Sequence, residues 1–461
     1  MHQVFTTKSF YLFIFCFLSS TISLTAQETG WKNLFNGKDL TGWKRLGGAA
    51  EFTVEDGVIV GRTVAKTRNS FLVTEKEYDD FILEADVYVE DEEGNSGIQT
   101  RSHFDAKAFN GEGKVYGRQC EVDPTPRRWT GGIYDEGRRE WLYPMQLNGA
   151  AQNAYQTAVY NHFRIECIGN EMRTWVNGIA TAYVVDTIDA SGFIGLQVHA
   201  INSPDHVGKK VCFKNLRIKT TNLTPANFSN HVYVANFIPN QLADYEKKNG
   251  WKLLFDGKTN TGWRSTKSAV FPQNGWEISN GTIRVLNSGG NEATNGGDIV
   301  TTDQYSAFDL SFEFKLTPGA NSGLKYFVTL AEKSMGSAIG LEYQVLDDSL
   351  HPDAKLGRDG NRTLASVYDL IKAQKQKRFL RPIGEWNIGR IVFYPNDKVE
   401  HYLNGVKVLE YIRGSKEFKD LVAISKYVVW KNFGEATSGH ILLQDHGNAV
   451  AYRSIKIKKL V

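Results

Sequence analysis

Two short polar sets recur in this 461-residue chain, each spaced so that its members share one side of a β-strand. In Leu341-Glu342-Tyr343-Gln344-Val345-Leu346-Asp347, Glu342 and Gln344 point one way and Tyr343 and Val345 the other, because successive side chains of an extended segment alternate. Arg118-Gln119-Cys120-Glu121-Val122-Asp123 likewise puts Gln119, Glu121 and Asp123 on one face. Further along each half, Gln197 projects with His199, and Gln444 with His446. A carboxylate, a carboxamide and an imidazole on one face can take a proton, hold a hydroxyl and steady negative charge. A solvated outer face explains any one such pair. The recurrence of the set in both halves is what speaks for a functional face.

Connecting segments add candidates. Arg101 and His103 follow Asn95-Ser96-Gly97, where the second half offers Lys325. Tyr134-Asp135 with Arg138 and Arg139 parallels Tyr368-Asp369 with Lys372, and His401 precedes Asn404-Gly405. For a lone His or Tyr a structural role is the commoner one. Trp129, Trp141, Trp175, Trp276, Trp386 and Trp430 could stack on sugar rings, although core packing is the more frequent use of Trp. No Gly-x-Ser-x-Gly elbow, phosphate-cradling Gly-x-x-x-x-Gly-Lys-Ser/Thr loop or His-Glu-x-x-His occurs. The Glu-x-Asp-x-x-Glu pattern of laminarinase-type sandwiches breaks at Pro126. A retaining glycosidase needs two carboxyls about 5–5.5 Å apart, and one carboxylate per strand does not supply that pair locally.

The elements that must position these residues are short strands. Gly30–Lys44 and Gly250–Arg264 match at ten of fifteen positions with an offset of 220. Echoes follow in the same order: Asn95-Ser96-Gly97-Ile98 with Asn321-Ser322-Gly323-Leu324, then Trp175-Val176-Asn177-Gly178 with Tyr402-Leu403-Asn404-Gly405. A unit of this length is a whole domain, since solenoid repeats run about 20–50 residues. Phe81–Val89, Phe308–Leu316 and Trp386–Tyr394 alternate with period two, and Asp56-Gly57, Asn177-Gly178, Asn280-Gly281 and Asn404-Gly405 are hairpin signals. The pattern predicts all-β architecture, an antiparallel two-sheet sandwich in each half.

Charge and composition narrow the class. With 54 Lys+Arg against 51 Asp+Glu the chain lacks the basic excess of a nucleic-acid binder. Lys8, the apolar run Phe10–Leu18 and Leu24-Thr25-Ala26 read as a signal peptide over residues 1–26, implying an exported, periplasmic protein with no membrane span. The remaining divisions are 27–220, a linker 221–248 with a short helix near its end, and 249–461. Cys120, Cys167 and Cys212, an odd and widely spaced set, read as core residues, with one bridge among them left open.

Together, Gly-Trp-x-x-Leu-Phe-x-Gly-Lys, Asn-Ser-Gly-Ile/Leu, Leu341–Asp347, Gly384-Glu385-Trp386-Asn387 and Leu443-Gln444-Asp445-His446-Gly447 resemble the 3-keto-disaccharide hydrolase domain family, in two tandem copies. The second half matches more fully, since the first lacks Gly-Glu-Trp-Asn and reads Gln-Val-His for Gln-Asp-His. The resemblance implies concanavalin A-like jelly-rolls acting on glycosides oxidised to a ketone at sugar C3. A C3 ketone acidifies the C2 proton, so a base can form an enolate that expels the C1 substituent, and water can then add to the enone. That route needs one base, one stabiliser of the enolate oxygen and one acid. The expected base is His446 or Glu342 in the second half, with His199 or Glu121 in the first. Gln344, Gln444, Lys325 or Arg101 would hold negative charge, and Tyr368 or Tyr134 would be the acid. Asp369, His401, Gln119, Gln197, His103, Asp135 and Arg138 complete the expected substrate contacts. The sequence assigns no cofactor, and a divalent cation on Glu342, Gln344 and His446 is an option on ligand chemistry. Alternatives are a non-catalytic sugar-binding jelly-roll and an ordinary glycoside hydrolase.

Overall fold

A computed structural model describes residues 30–331, 333, 334 and 337–461. The signal-peptide reading lies outside them. The fold is all-β, as the alternation predicts. Among the described residues the first half forms a nine-stranded and a seven-stranded sheet, and the second an eight-stranded and a five-stranded sheet. Among the described residues the named strands pair antiparallel, except for the parallel contact of Ala235–Asn236 with Ile179–Val185.

Alternation decides what each strand buries. In Phe81–Val89, Phe81, Leu83, Ala85, Val87 and Val89 enter the first core, where they meet Ile98, Cys120, Val122 and Leu196 from the facing sheet. In the second half Leu310, Phe312 and Phe314 meet Leu324, Tyr343, Val345 and Leu443. Each large apolar side chain removed from water contributes roughly 1.5–3 kcal/mol, so these inward rows fix the register. The in-between residues of the seven- and five-stranded sheets must then face away from the core. That is why Gln119 and Glu121, or Glu342 and Gln344, sit opposite Cys120 and Tyr343. The three cysteines are buried and unbridged.

The linker region is packed. Val232, Tyr233 and Ala235 join the first core, and the short helix Asp244–Lys248 carries Glu246, which is buried and ion-paired to Lys456 (2.5 Å). The second half also reaches across to the first. Val406 lies in the first core, Phe379 packs 5.7 Å from Trp129, and the Lys407 backbone N–H donates to Gln146 Oε1 (2.9 Å). Beyond the shared plan, the second half has an excursion absent from the first, with the helix Lys416–Ala423 and the turn Lys426–Val429.

Candidate active site

Three strands of the five-stranded sheet build a small hollow in the second half. Asn321–Val328 lies between Leu341–Leu346 and His440–Leu443, with Lys325 directly opposite Glu342 and Gly323 opposite Gln344. The glycine is a steric requirement, because a Cβ at Gly323 would stand 2.0 Å from Glu342 Oε1. The hollow, about 90 Å³, is lined by Lys325, Glu342, Gln344, Tyr368, Gln444 and His446, and also by Glu292, Asn321, Lys426, Tyr427 and Trp430.

Several lining groups are held from behind. The Tyr368 backbone N–H donates to the Glu342 carbonyl (3.0 Å), and the Gln444 N–H to the Gly323 carbonyl (2.9 Å). Asp445, pointing away from the hollow, accepts from the N–H groups of Gly297 (2.9 Å) and Gly447 (3.0 Å), and its carbonyl accepts from Ala293 (2.8 Å). This clamps the loop that brings Glu292 within 3.2 Å of the Gln444 amide. With its carboxamide turned so that the N–H groups meet acceptors, Gln344 donates to the Ser322 carbonyl (3.0 Å) and to Glu342 Oε1 (3.2 Å). His446 Nδ1 is buried without a hydrogen-bond partner, and the ring meets His351 edge-on at 5.7 Å.

Burial pushes the Glu342 carboxyl above its ordinary range, against the pull of the Lys325 and Lys426 ammonium groups. Burial pushes Lys426 the opposite way, down. Its Nζ lies 4.2 Å from the centre of the Tyr368 ring. Burial, with Asp353 and Glu342 nearby, also raises Tyr368, so the phenol keeps its proton. The hollow therefore holds a carboxylate poised to accept a proton, two cations and a phenolic donor. It does not fit a divalent cation well: Glu342, Gln344 and His446 do line it, but two ammonium groups already act on the carboxylate. No group of three or more His, Cys, Asp or Glu side chains placed to hold a metal occurs among the described residues.

The first half repeats the plan with different contents. Ser96–Asp105 pairs with Lys114–Val122, Gly97 faces Glu121 and Gln99 faces Gln119. Carboxylate and carboxamide have thus exchanged places relative to the second half. The hollow is much larger, about 740 Å³, and is lined by Gln119, Glu121, Tyr134, Gln197 and His199, with Arg127, Glu136 and, from the second half, Arg378. Glu121 accepts from Asn95 (2.6 Å) and Gln119 (3.0 Å), and Gln119 accepts from Gln99 (2.8 Å). Burial raises Glu121 to about 7 despite those donors. Burial lowers His199, whose Nδ1 donates to the Ala200 carbonyl (2.6 Å) and leaves Nε2 as the acceptor. Burial raises Tyr134.

Comparison with known proteins bears on both hollows. A family model described as the 3-keto-alpha-glucoside-1,2-lyase-like domain matches residues 30–219 and again 250–458. The chain belongs to this family. A relative from Bacteroides thetaiotaomicron, named 3-keto-disaccharide hydrolase, is 38% identical over 232 residues, covering 46% of this chain and 79% of the relative. Two Parabacteroides distasonis ATCC 8503 crystal structures of candidate glycosyl hydrolases are also similar. One is 29% identical over 48% of this chain and 100% of its own, with a TM-score of 0.42, and the other is 23% identical over 46% and 99%, with a TM-score of 0.34.

Several residues that the sequence suggested lie outside the hollows. Arg101 sits at a register shift with φ 47°, buried against the carbonyls of Asp79 (2.5 Å) and Gly169 (2.7 Å) and the Asp80 carboxylate (2.7 Å). Its counterpart is Phe327, at the matching shift with φ 57°, while the place of Lys325 is taken by Gln99. The parity break at the bulge is the physical reason. His103 bonds to Asp189 (3.1 Å), and Arg138 joins Asp189 to the buried Asp135, which also holds Arg139 (2.5 Å). Asp369 ties Arg362 (2.7 Å) to the Lys426 backbone N–H (2.8 Å), so it positions the excursion from outside the hollow. His401 is a core residue between the Ala365 carbonyl and Tyr326 Oη (3.0 Å each), lowered by burial to about 4 and therefore neutral. Of the six tryptophans named above, Trp141 and Trp430 line hollows, Trp386 lines a cavity between the halves, and Trp129, Trp175 and Trp276 are buried in packing.

Lys426 and Glu292 were missed. Lys426 lies in the excursion that the first half lacks, and Glu292 in a connection, residues 286–298, longer than its first-half equivalent 63–69, so neither alternation nor internal comparison marks them.

Proposed function

We propose that this protein is an exported carbohydrate-active enzyme that cleaves 3-keto glycosides, with its chemistry in the second half. The observation that carries the reading is the buried Glu342 carboxylate facing Lys325, Lys426 and Tyr368 in one hollow. Glu342 takes the C2 proton, and the C–H electron pair becomes the C2=C3 double bond of an enolate whose charge rests on the C3 oxygen. Lys325 and Lys426 stabilise that charge. As the enolate returns to a ketone, the C1–O bond breaks and its electrons leave with the aglycone oxygen, which takes a proton from Tyr368 or His446. Water then adds across the C1=C2 bond of the enone, and the sum is hydrolysis. The name of the Bacteroides relative, 3-keto-disaccharide hydrolase, agrees with this outcome, and one base with cations suits it better than paired glycosidase carboxylates do.

A second reading applies to the first half, whose hollow is wider and has Gln99 where the second has Lys325. There each oxygen of the Glu121 carboxylate accepts from one amide and keeps capacity for a sugar hydroxyl, an arrangement suited to holding a sugar. The test is turnover of a glucoside and its 3-keto derivative side by side. We expect cleavage of the keto form alone, with E342Q lowering kcat/KM at least about 100-fold, the low end for a general base, and E121Q changing it far less. Equal cleavage of the unoxidised glucoside, or wild-type rates in both E342Q and H446A, overturns the proposal.

A further inference from the structure

Between the halves lies a third cavity of about 400 Å³, within the size range of small-molecule sites. Alternation again explains its wall. Leu310, Phe312 and Phe314 fill the second core, so Ser311 and Glu313 of the same strand face outward, and the first half covers that outer face. The linker adds Tyr233 and Phe237, the first half Trp141, and the second half Trp386, Ile388 and Tyr402.

The polar groups of this wall are already committed to one another. Arg390 is bidentate to Asp309 (2.7 Å twice), Arg453 pairs with Glu313 (2.7 Å), Lys456 with Glu246 (2.5 Å) and Arg139 with Asp186 (2.6 Å). Arg381 donates to the Arg139 carbonyl (2.8 Å), and the exposed Glu385 borders the same space. Ser311 bonds Tyr233 Oη (3.0 Å), and Asn404 bonds the Phe379 carbonyl (2.7 Å). An anion would find no surplus positive charge here. A sugar ring would find few donors or acceptors to receive its hydroxyls. A flat, uncharged ring needs neither and gains from aromatic contact.

The cavity shares a wall residue with a site already described. Trp141 lines both it and the first-half hollow, its indole meets Tyr134 edge-on at 5.2 Å, and its Nε1 is buried with no partner. We infer that the interdomain cavity receives the neutral aryl aglycone of a glycoside whose sugar occupies the first-half hollow, with Trp141 at the junction. This rests on the reading of the protein as acting on glycosides, and it adds the aglycone class.

The full chain is titrated with 4-methylumbelliferyl β-glucoside, followed by its fluorescence, with methyl β-glucoside and cellobiose as competitors. The aryl glucoside is expected to bind about tenfold more tightly than either competitor, the worth of one well-packed ring. Ile388→Trp, which fills the cavity, and Trp386→Ala, which removes a wall, should each bring it to the level of methyl glucoside with thermal melts unchanged. Equal binding of the three ligands, cellobiose binding as tightly as the aryl glucoside, or unaltered aryl affinity in both variants overturns the inference. Because binding of an unoxidised glucoside is read, the outcome is separate from turnover. A protein that fails to cleave 3-keto glucosides but keeps the aryl preference loses the proposed chemistry and retains this site.

Discussion

Glu342 is pulled in two directions. Burial disfavours its charge, and the ammonium groups of Lys325 and Lys426 favour it. A base must be ionised to act, so activity should fall as pH drops through the Glu342 midpoint, which lies above the ordinary carboxylate range. Removing one of the opposing cations leaves burial less opposed. In Lys426→Met the acid limb of kcat/KM should therefore move to higher pH, and the plateau should fall because an enolate stabiliser is gone. A pH–rate profile of wild type and variant checks both. An acid limb that stays put or moves down would mean that Lys426 does not act on the base. His401 shows how residue type alone misleads. It has the same imidazole as His446, but it faces the core from Lys398–Leu403 of the eight-stranded sheet with both ring nitrogens bonded, whereas His446 lines the hollow with Nδ1 unpartnered.

At the scale of elements, the Asn-Ser-Gly motif is legible because its glycine has a spatial task. Gly323 does not have positive φ, so its backbone tolerates alanine, yet the added Cβ would meet Glu342 Oε1 at 2.0 Å and Cδ at 2.8 Å. Gly97 is in the same position toward the Gln119 side chain, at 2.2 Å. Gly323→Ala should displace the movable carboxylate and leave the sheet in place. The expected stability loss is no more than about 1–3 kcal/mol, while turnover should fall by about 100-fold, the cost of roughly 1 Å of misplacement. Denaturation midpoints and 3-keto glucoside assays on one preparation separate the two, and a variant with full activity would remove Glu342 from the chemistry. Alternation made the strands and their polar faces readable, since the inward Leu341, Tyr343 and Val345 enter the core and the outward Glu342 and Gln344 are site groups, the outward Leu346 alone lining no hollow. Equivalence between halves was less readable. The bulges near Arg101 and Phe327 shift parity, so Lys325 matches Gln99 and not Arg101. The excursion carrying Lys426 has no repeat partner, and its position over the hollow is set by a long-range bond from Asp369 that no local pattern reveals.

At the scale of the molecule, the two copies of one hairpin have diverged in what they touch. Asn177-Gly178 and Asn404-Gly405 turn at matching places, with glycine φ of +79° and +82°. A Cβ at Gly178 meets nothing within 4 Å, but at Gly405 it falls 2.9 Å from Pro144 Cδ and 3.1 Å from Cγ, across the boundary between the halves. The neighbouring Val406 is buried in the first core, and Lys407 bonds Gln146, so this turn is a docking element. Gly178→Ala should cost only the left-handed backbone penalty of roughly 1–2 kcal/mol. Gly405→Ala should cost that plus about 1–3 kcal/mol of overpacking against the first half. Pro144→Ala removes the two closest atoms and leaves Leu147 Cδ1 at 3.3 Å, so most of the excess should vanish in the Gly405→Ala/Pro144→Ala double variant, a coupling that a double-mutant cycle of denaturant midpoints isolates. Equal costs at Gly178 and Gly405, with no coupling to Pro144, would mean that the halves do not press together at this turn. The aromatic cavity beside it, which shares Gly405 and Leu147 as lining, would then lack the fixed walls that a rigid ring ligand requires.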